Sequence, residues 1–365
     1  MSLPPFRADH VGSLLRPPRL LEARADRSLT SEQLRAVEDD AIREVVQMQQ
    51  DVGLQSATDG EFRRTSWHMD FIYRLGGVTR TDEQLAVHFE NAGGSLDFTS
   101  AALQVDGPVR LTETIFGEDF AFLRDATTST AKLTIPSPSM VHYRGGRAAI
   151  DRSVYPDDDQ FWTDLSAAYA QEVARLAALG CTYLQFDDTS LAYLNDPRQR
   201  EQVAERGDDA EHQHERYIRQ INAALAGRPE GVRVTTHLCR GNFQSSWAAE
   251  GGYDFVAEAL FGTLDVDGFF LEYDDERSGS FAPLRYVPPG KAVVLGLVTT
   301  KRGELESKDD LKRRIDEASQ HVPIEQLCLS PQCGFSSTVE GNALTYDEQV
   351  AKLALVVETA QEVWG

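Results

Sequence analysis

"VRVTTHLCRGN" (232–242) begins as an apolar, β-branched run and ends with His237, Cys239 and Arg240 inside four residues. An unbroken run of that kind suits a strand covered on both faces, as strands of a parallel sheet are. The reactive residues stand where the strand would stop. A thiol and an imidazole one residue apart are either ordinary packing or half of a metal site. Half a site needs ligands from elsewhere in the chain.

Similar runs recur on both sides of this segment. "KLTIPSP" (132–138), "CTYLQFDD" (181–188), "GFFLEY" (268–273), "AVVLGLV" (292–298) and "QLCLSPQC" (326–333) read as strands, with weaker ones in "FRADHVG" (6–12) and "LQSATDGE" (54–61). Helical patterns lie between them at 31–52, 161–179, 209–225, 307–319 and 346–363. The first opens on "TSEQ", which predicts a capping box with Thr30 or Ser31 near the cap. Eight strands alternating with helices predict an α/β fold, the (β/α)8 TIM barrel. A doubly wound open sheet is the alternative, but no GxGxxG follows any strand. The mixed stretch 79–125 interrupts the alternation and reads as an insertion after strand 2, with room for a hairpin. No Gly/Ser linker or low-complexity segment divides the chain, so a single catalytic barrel over 1–365 is expected.

A barrel gathers functional residues at the C-terminal ends of its strands. Taken in order, those ends carry His10 and Ser13, Asp59 and Glu61, Ser137, Asp187 and Asp188, His237 and Cys239, Glu272, Lys301 and Cys333. Converging strand ends would bring His237, Cys239, Glu272 and Cys333 together. Two thiolates, an imidazole and a carboxylate make a tetrahedral zinc set, and the soft sulfurs disfavour magnesium or calcium. Each residue also has a plainer reading. Cys181 and Cys328 fall at or inside strands and read as inert core thiols. Glu272 could be a solvated strand end, Cys333 a turn residue, and the Asp187–Asp188 pair a helix cap. Glu61 and Asp187 could be paired with Arg63, Arg64 or another basic side chain.

At these residues the chain resembles the cobalamin-independent methionine synthase family. "HLCRGNF", "FFLEYDDERSG" and "LSPQCGFSS" resemble, in order, that family's zinc-ligand segments, and fall on His237, Cys239, Glu272 and Cys333. "HVGSLLRP", "TDGEF" and "LQFDD" resemble its opening Gly-Ser, Gly-Glu and Gln-x-Asp segments. The resemblance runs from His10 to about Asn342. It implies a Zn2+ cofactor that binds the substrate thiol as thiolate, with homocysteine as the thiol and methionine as the product. It further implies that Glu61 and Asp187 hold the substrate ammonium, that Ser13 and nearby backbone hold its carboxylate, and that His10 has a pocket role. Two departures touch the methyl-donor side. Lys301 stands roughly where the family has a histidine, so any catalytic part falls to a lysine. The segment after the third strand carries Ser139, His142 and Tyr143, with no folate-stacking tryptophan. The donor is therefore left as a methylated folate or a methylcorrinoid delivered by another protein.

Composition narrows the alternatives. Among 365 residues, 36 are basic and 58 acidic, a formal charge of −22. That argues against a nucleic-acid backbone or an anionic membrane as partner, and for a small-molecule ligand. No run approaches the roughly 18 apolar residues of a membrane span, and the start lacks a signal-peptide pattern. Four cysteines in a chain of this length are not a disulfide framework, which fits a reducing, cytoplasmic setting. A homo-oligomer is compatible with all of this. The competing functions are an alkyltransferase acting on another thiol, like the epoxyalkane:coenzyme M transferases, a decarboxylase like uroporphyrinogen decarboxylase, and a non-catalytic zinc-binding protein.

Overall fold

The computed structural model describes residues 4–91 and 94–365. Seven parallel strands form one curled sheet in the order β1 (Ser56–Ala57), β4 (Thr130–Pro136), β5 (Tyr183–Asp188), β6 (Arg233–Leu238), β7 (Gly268–Glu272), β8 (Ala292–Val298) and β9 (Leu327–Pro331). Between β1 and β4, β2 (Gly76–Asn91) and β3 (Gly94–Arg110) make a separate antiparallel hairpin. Every barrel strand expected from the sequence is present, trimmed by a few residues at its ends. The exception is 6–12, which forms a single parallel bridge, Ala8 to Leu329, in place of a strand. Asp9 N–H donates to the Leu329 carbonyl at 3.0 Å on that side. On the other side the segment is held by side chains: the Asp9 carboxylate accepts from Ser56 Oγ (3.0 Å) and Tyr183 Oη (2.8 Å). A ladder needs backbone partners on the facing strand, and β1 is only two residues long.

The helices lie outside the sheet. The helix Ser31–Asp51 starts on a capping box in which Thr30 Oγ1 accepts from Gln33 N–H while Gln33 Oε1 accepts from Thr30 N–H. The cap is Thr30 and not Ser31, because the glutamine three residues on from Thr30 completes the reciprocal pair. The helix Tyr346–Trp364 has the same device in Thr345 and Glu348. Inside the barrel, Lys132 Nζ on β4 sits 4.0 Å from the Phe270 ring centroid on β7, a contact between strands that are not neighbours. Lys132 and Asp9 are both fully buried and 3.3 Å apart. A buried charge persists only where an opposite charge and hydrogen bonds meet it. Cys181 and Cys328 are buried too, their thiols pushed up to about 12 by burial, which makes them inert.

The interruption expected at 79–125 divides in two. The hairpin occupies 76–110, and the helix Gly117–Ala126 that follows packs against β4 as an ordinary outer helix. The hairpin reaches back over the C-terminal ends of the strands. There Glu90 pairs with Trp247 through two backbone hydrogen bonds of 2.7 and 2.9 Å.

One buried acid makes the fold pH-sensitive. Glu172, on the helix Asp158–Ala178, is fully buried and accepts from Ile115 N–H at 3.0 Å. Burial raises its pKa from 4.5 to about 7. Between those values the folded state binds more protons than the unfolded one, so stability falls as pH rises through that window. Glu172→Gln is therefore expected to raise the melting temperature at pH 8 and to gain little at pH 5. Equal gains at both pH values would rule this account out.

Candidate metal centre

β5, β6 and β7 align the site. Asp187 on β5 pairs in register with His237 on β6, so both point the same way at the same height. Leu238 pairs with Leu271, one residue before Glu272, and Cys239 follows the end of β6. Cys333 comes two residues after the end of β9. One donor atom from each of His237, Cys239, Glu272 and Cys333 lies within 4.8 Å of all the others, and all four residues are buried. The two sulfurs are 3.4 Å apart and not bonded.

The donor set suits a soft divalent cation. Both ring nitrogens of His237 and Oε2 of Glu272 are buried without a hydrogen-bond partner. Buried polar atoms left in that state are costly, and a metal ion would satisfy one ring nitrogen of His237 together with Glu272 Oε2. The thiols are already polarised. The Cys239 thiol beside it holds Cys333 well below the usual thiol range, whereas Cys239 itself is raised by that same contact and by burial. Cys333 thus carries the negative charge a metal needs. The other carboxylate oxygen of Glu272, Oε1, accepts from Arg240 N–H at 2.8 Å, and the Arg240 guanidinium donates to the Glu272 carbonyl at 2.9 Å. Arg240, adjacent to the candidate ligand Cys239, therefore aims the carboxylate.

The centre opens on a cavity of about 430 Å³ whose wall includes Ser13, Glu61 and Asp187 beside His237, Cys239 and Cys333. Glu61 has a left-handed backbone, φ 61°, held by its N–H on Asp59 Oδ1 (2.9 Å) and by Arg16 on its carbonyl (2.8 Å). Its carboxylate accepts from Thr134 Oγ1 at 2.9 Å, with Arg64 at 3.6 Å. Asp187 accepts from Gln185 Nε2 at 2.7 Å. Burial raises both acids, Asp187 to about 7, with the Glu61 charge adding to the rise at Asp187 and Asp59 to that at Glu61. Arg64 offsets part of the Glu61 charge, yet burial still outweighs the cations at both acids, and an added positive group would relieve them. Asp188, by contrast, caps the next turn by accepting from Leu191 N–H at 2.8 Å.

The model of the catalytic domain of cobalamin-independent synthases matches residues 15–362. The chain belongs to that family. It is 46% identical to the uncharacterized protein YxjG of Bacillus subtilis, over 99% of this chain and 95% of that one. It superposes on a putative vitamin-B12 independent methionine synthase from Listeria monocytogenes with a TM-score of 0.79, 40% identity and 100% of both chains covered. A B12-independent methionine synthase from Shewanella, crystallised with selenomethionine, shares the fold at 22% identity and a TM-score of 0.74, covering 98% of this chain and 97% of that one.

In this family member, His10 and Lys301 do not line the cavity, and neither do Asp59, Ser137, Asp188 and Glu272. His10 is buried beside Gln49 of the outer helix, and burial with the nearby Lys132 charge lowers it to about 4. Strand alternation explains the placement: Asp9 points into the barrel, so His10 points out to the helices. Lys301 is ion-paired with Asp274 at 2.8 Å. Burial lowers its pKa, but Asp274 and Glu272 outweigh that and keep it cationic. Other residues that shape the site are silent in local sequence. Arg16 ties the loop after β1 to the loop after β9 through Glu61, Arg64, Ser336 and Thr338. Asn242 and Thr300 both donate to the Gly334 carbonyl and fix the loop that carries Cys333. A side chain at Gly334 would displace the Ser13 hydroxyl, because a Cβ there would lie 1.9 Å from Ser13 Oγ. Trp67, from the loop after β1, lines the cavity, whereas His142 turns away and bonds Tyr217.

Proposed function

We propose that the protein is a zinc-dependent S-methyltransferase that converts homocysteine to methionine. The observation that carries this reading is the pairing, in one cavity, of a sulfur-rich metal set with two cation-seeking carboxylates. A thiol amino acid needs both. Bound zinc would lower the pKa of the substrate thiol and keep it nucleophilic at neutral pH. His237, Cys239, Glu272 and Cys333 would hold the ion. Glu61 and Asp187 would take the ammonium group through charge-assisted hydrogen bonds, and Ser13 with adjacent backbone the carboxylate. The apolar wall of Val11, Met69, Phe89 and Phe243 would keep water from the methyl group in transit. The sulfur gains the S–CH3 bond as the donor's bond to that methyl breaks. The donor is a methylated folate or a methylcorrinoid. Lys301, paired with Asp274 beside Glu272, is a counter-ion for the ligand carboxylate. Among the described residues no helix is long and apolar enough to cross a membrane, in keeping with a cytoplasmic enzyme.

A sulfonate thiol such as coenzyme M would want basic groups where Glu61 and Asp187 stand, which disfavours the epoxyalkane-type transferase. Zinc K-edge absorption on the zinc-loaded protein tests the proposal. On adding L-homocysteine the sulfur count at zinc is expected to rise from two to three. A count fixed at two would sink it, and a rise only with coenzyme M would shift the assignment to the other thiol. No zinc after reconstitution would remove its foundation.

A further inference from the structure

The Arg16 guanidinium lies between the two halves of the candidate site. Arg16 is buried, just ahead of the helix Pro18–Ala25. Its Nη2 donates to the carbonyls of Glu61 (2.8 Å) and Arg64 (2.9 Å), in the loop after β1. Its Nη1 donates to Ser336 Oγ (2.8 Å), the Ser336 carbonyl (3.3 Å) and the Thr338 carbonyl (3.1 Å), in the loop after β9. Two nitrogens of one planar group thus serve two loops, and each loop carries one half of the site.

The amino-acid half hangs on Glu61 and Ser13. Glu61 keeps a φ of 61°, a left-handed backbone that a non-glycine residue holds only where its surroundings fix it. The Arg16 bond to its carbonyl is one of those fixings. Ser13, three residues before Arg16, accepts at Oγ from Ser336 N–H at 3.4 Å. The metal half hangs on Cys333. The Ser337 hydroxyl lies 4.0 Å from Cys333 Sγ, and Arg16 holds the residues on either side of Ser337. A backbone bridge from Ser66 to Thr338 joins the two loops a second time.

The partners of this cation are unusual. Its five acceptors are carbonyl and hydroxyl oxygens, and among the described residues it forms no ion pair. Burial lowers its pKa to about 10, with Glu61 and Asp59 offsetting part of that, so it stays cationic at neutral pH. A buried cation held by dipoles is costly for the fold. Its planar fork is nevertheless well matched to fixing two loops at one spacing, which a lysine with a single nitrogen is not.

We propose that Arg16 is a positioning residue that couples the two halves, so that zinc in one tightens amino-acid binding in the other. Two loops held at one spacing form a single element that both ligands bias, and coupling of that kind is reciprocal. On the proposed reading, Glu61 belongs to the ammonium site and the four donors hold zinc, and the coupling rests on it.

Calorimetry with L-2-aminobutyrate, titrated into the apo and zinc-loaded full chain, tests this. The probe is homocysteine without its sulfur, so the thiol–zinc bond plays no part. Wild type is expected to bind it about tenfold more tightly when zinc is present, and Arg16→Lys and Arg16→Ala to show a ratio below about twofold. Guanidinium chloride, far below its denaturing range, should restore the ratio in Arg16→Ala. A merely structural role would weaken both forms alike and leave the ratio unchanged, as would direct contact between probe and metal. A ratio near one in the wild type, which needs no variant to fold, overturns the coupling, and so does a ratio unchanged in the variants. Binding without a zinc effect overturns the coupling alone. No binding to either wild-type form overturns the ammonium site as well.

Discussion

Cys333→Ser is expected to leave the protein folded and nearly free of zinc after dialysis, with affinity down on the order of a thousandfold. The argument begins with the charge. Cys333 carries the depressed thiol of the pair, so it is the thiolate already formed when a metal arrives. A serine hydroxyl in its place is a hard, protonated donor and a poor partner for zinc. The other three donors cannot close the gap, because Glu272 is held by Arg240 and His237 is fixed by its register on β6. The fold should survive. The loop around residue 333 is tied by Asn242, Thr300 and the Phe335 N–H bond to the Ser13 carbonyl (2.9 Å), none of which involves the sulfur. Metal analysis alongside the melting curve checks this. Full zinc content at unchanged affinity would show that Cys333 is not a ligand.

Glu61→Gln combined with Asp187→Asn is expected to weaken homocysteine binding on the order of a hundredfold or more, with zinc content unchanged. Removing one side of a desolvated charge pair costs about 2–5 kcal/mol. Here both acids facing the ammonium lose their charge. The amides keep the shape and the hydrogen bonds from Thr134 and Gln185. The apo protein should lose little stability, because burial already disfavours the charge on both acids, which offsets the loss of the Glu61 partner of Arg64. Loss of affinity together with loss of stability would instead point to a structural role. Homocysteine binding as tight as wild type would reject the ammonium assignment.

Much of the site is visible in the order of residues, because a barrel strand puts its chemistry at a fixed place. The run "VRVTTHLC" predicts a strand ending beside His237 and Cys239, and β6 ends at Leu238. The same logic covers Glu272 at the end of β7 and Asp187 near the end of β5. It fails where side-chain direction matters more than position. His10, in the segment that makes one bridge, faces the helices, and Lys301, in the loop after β8, is drawn to Asp274. A period-2 pattern cannot reveal which alternate face a residue takes when the segment makes only one bridge.

By itself, the sequence determined the alternation of strands and helices, the kinds of donor side chain, and the strand ends where those donors lie. These follow from local periodicity and from donor chemistry carried by single residues. The tertiary structure alone decided that the four donors meet within 4.8 Å. It also decided that Arg16 and Asn242 hold the loops, and that the hairpin divides the space above the barrel by joining Glu90 to Trp247. Those contacts link residues far apart in the chain, and their energy depends on distance in space. No local pattern of residues records it.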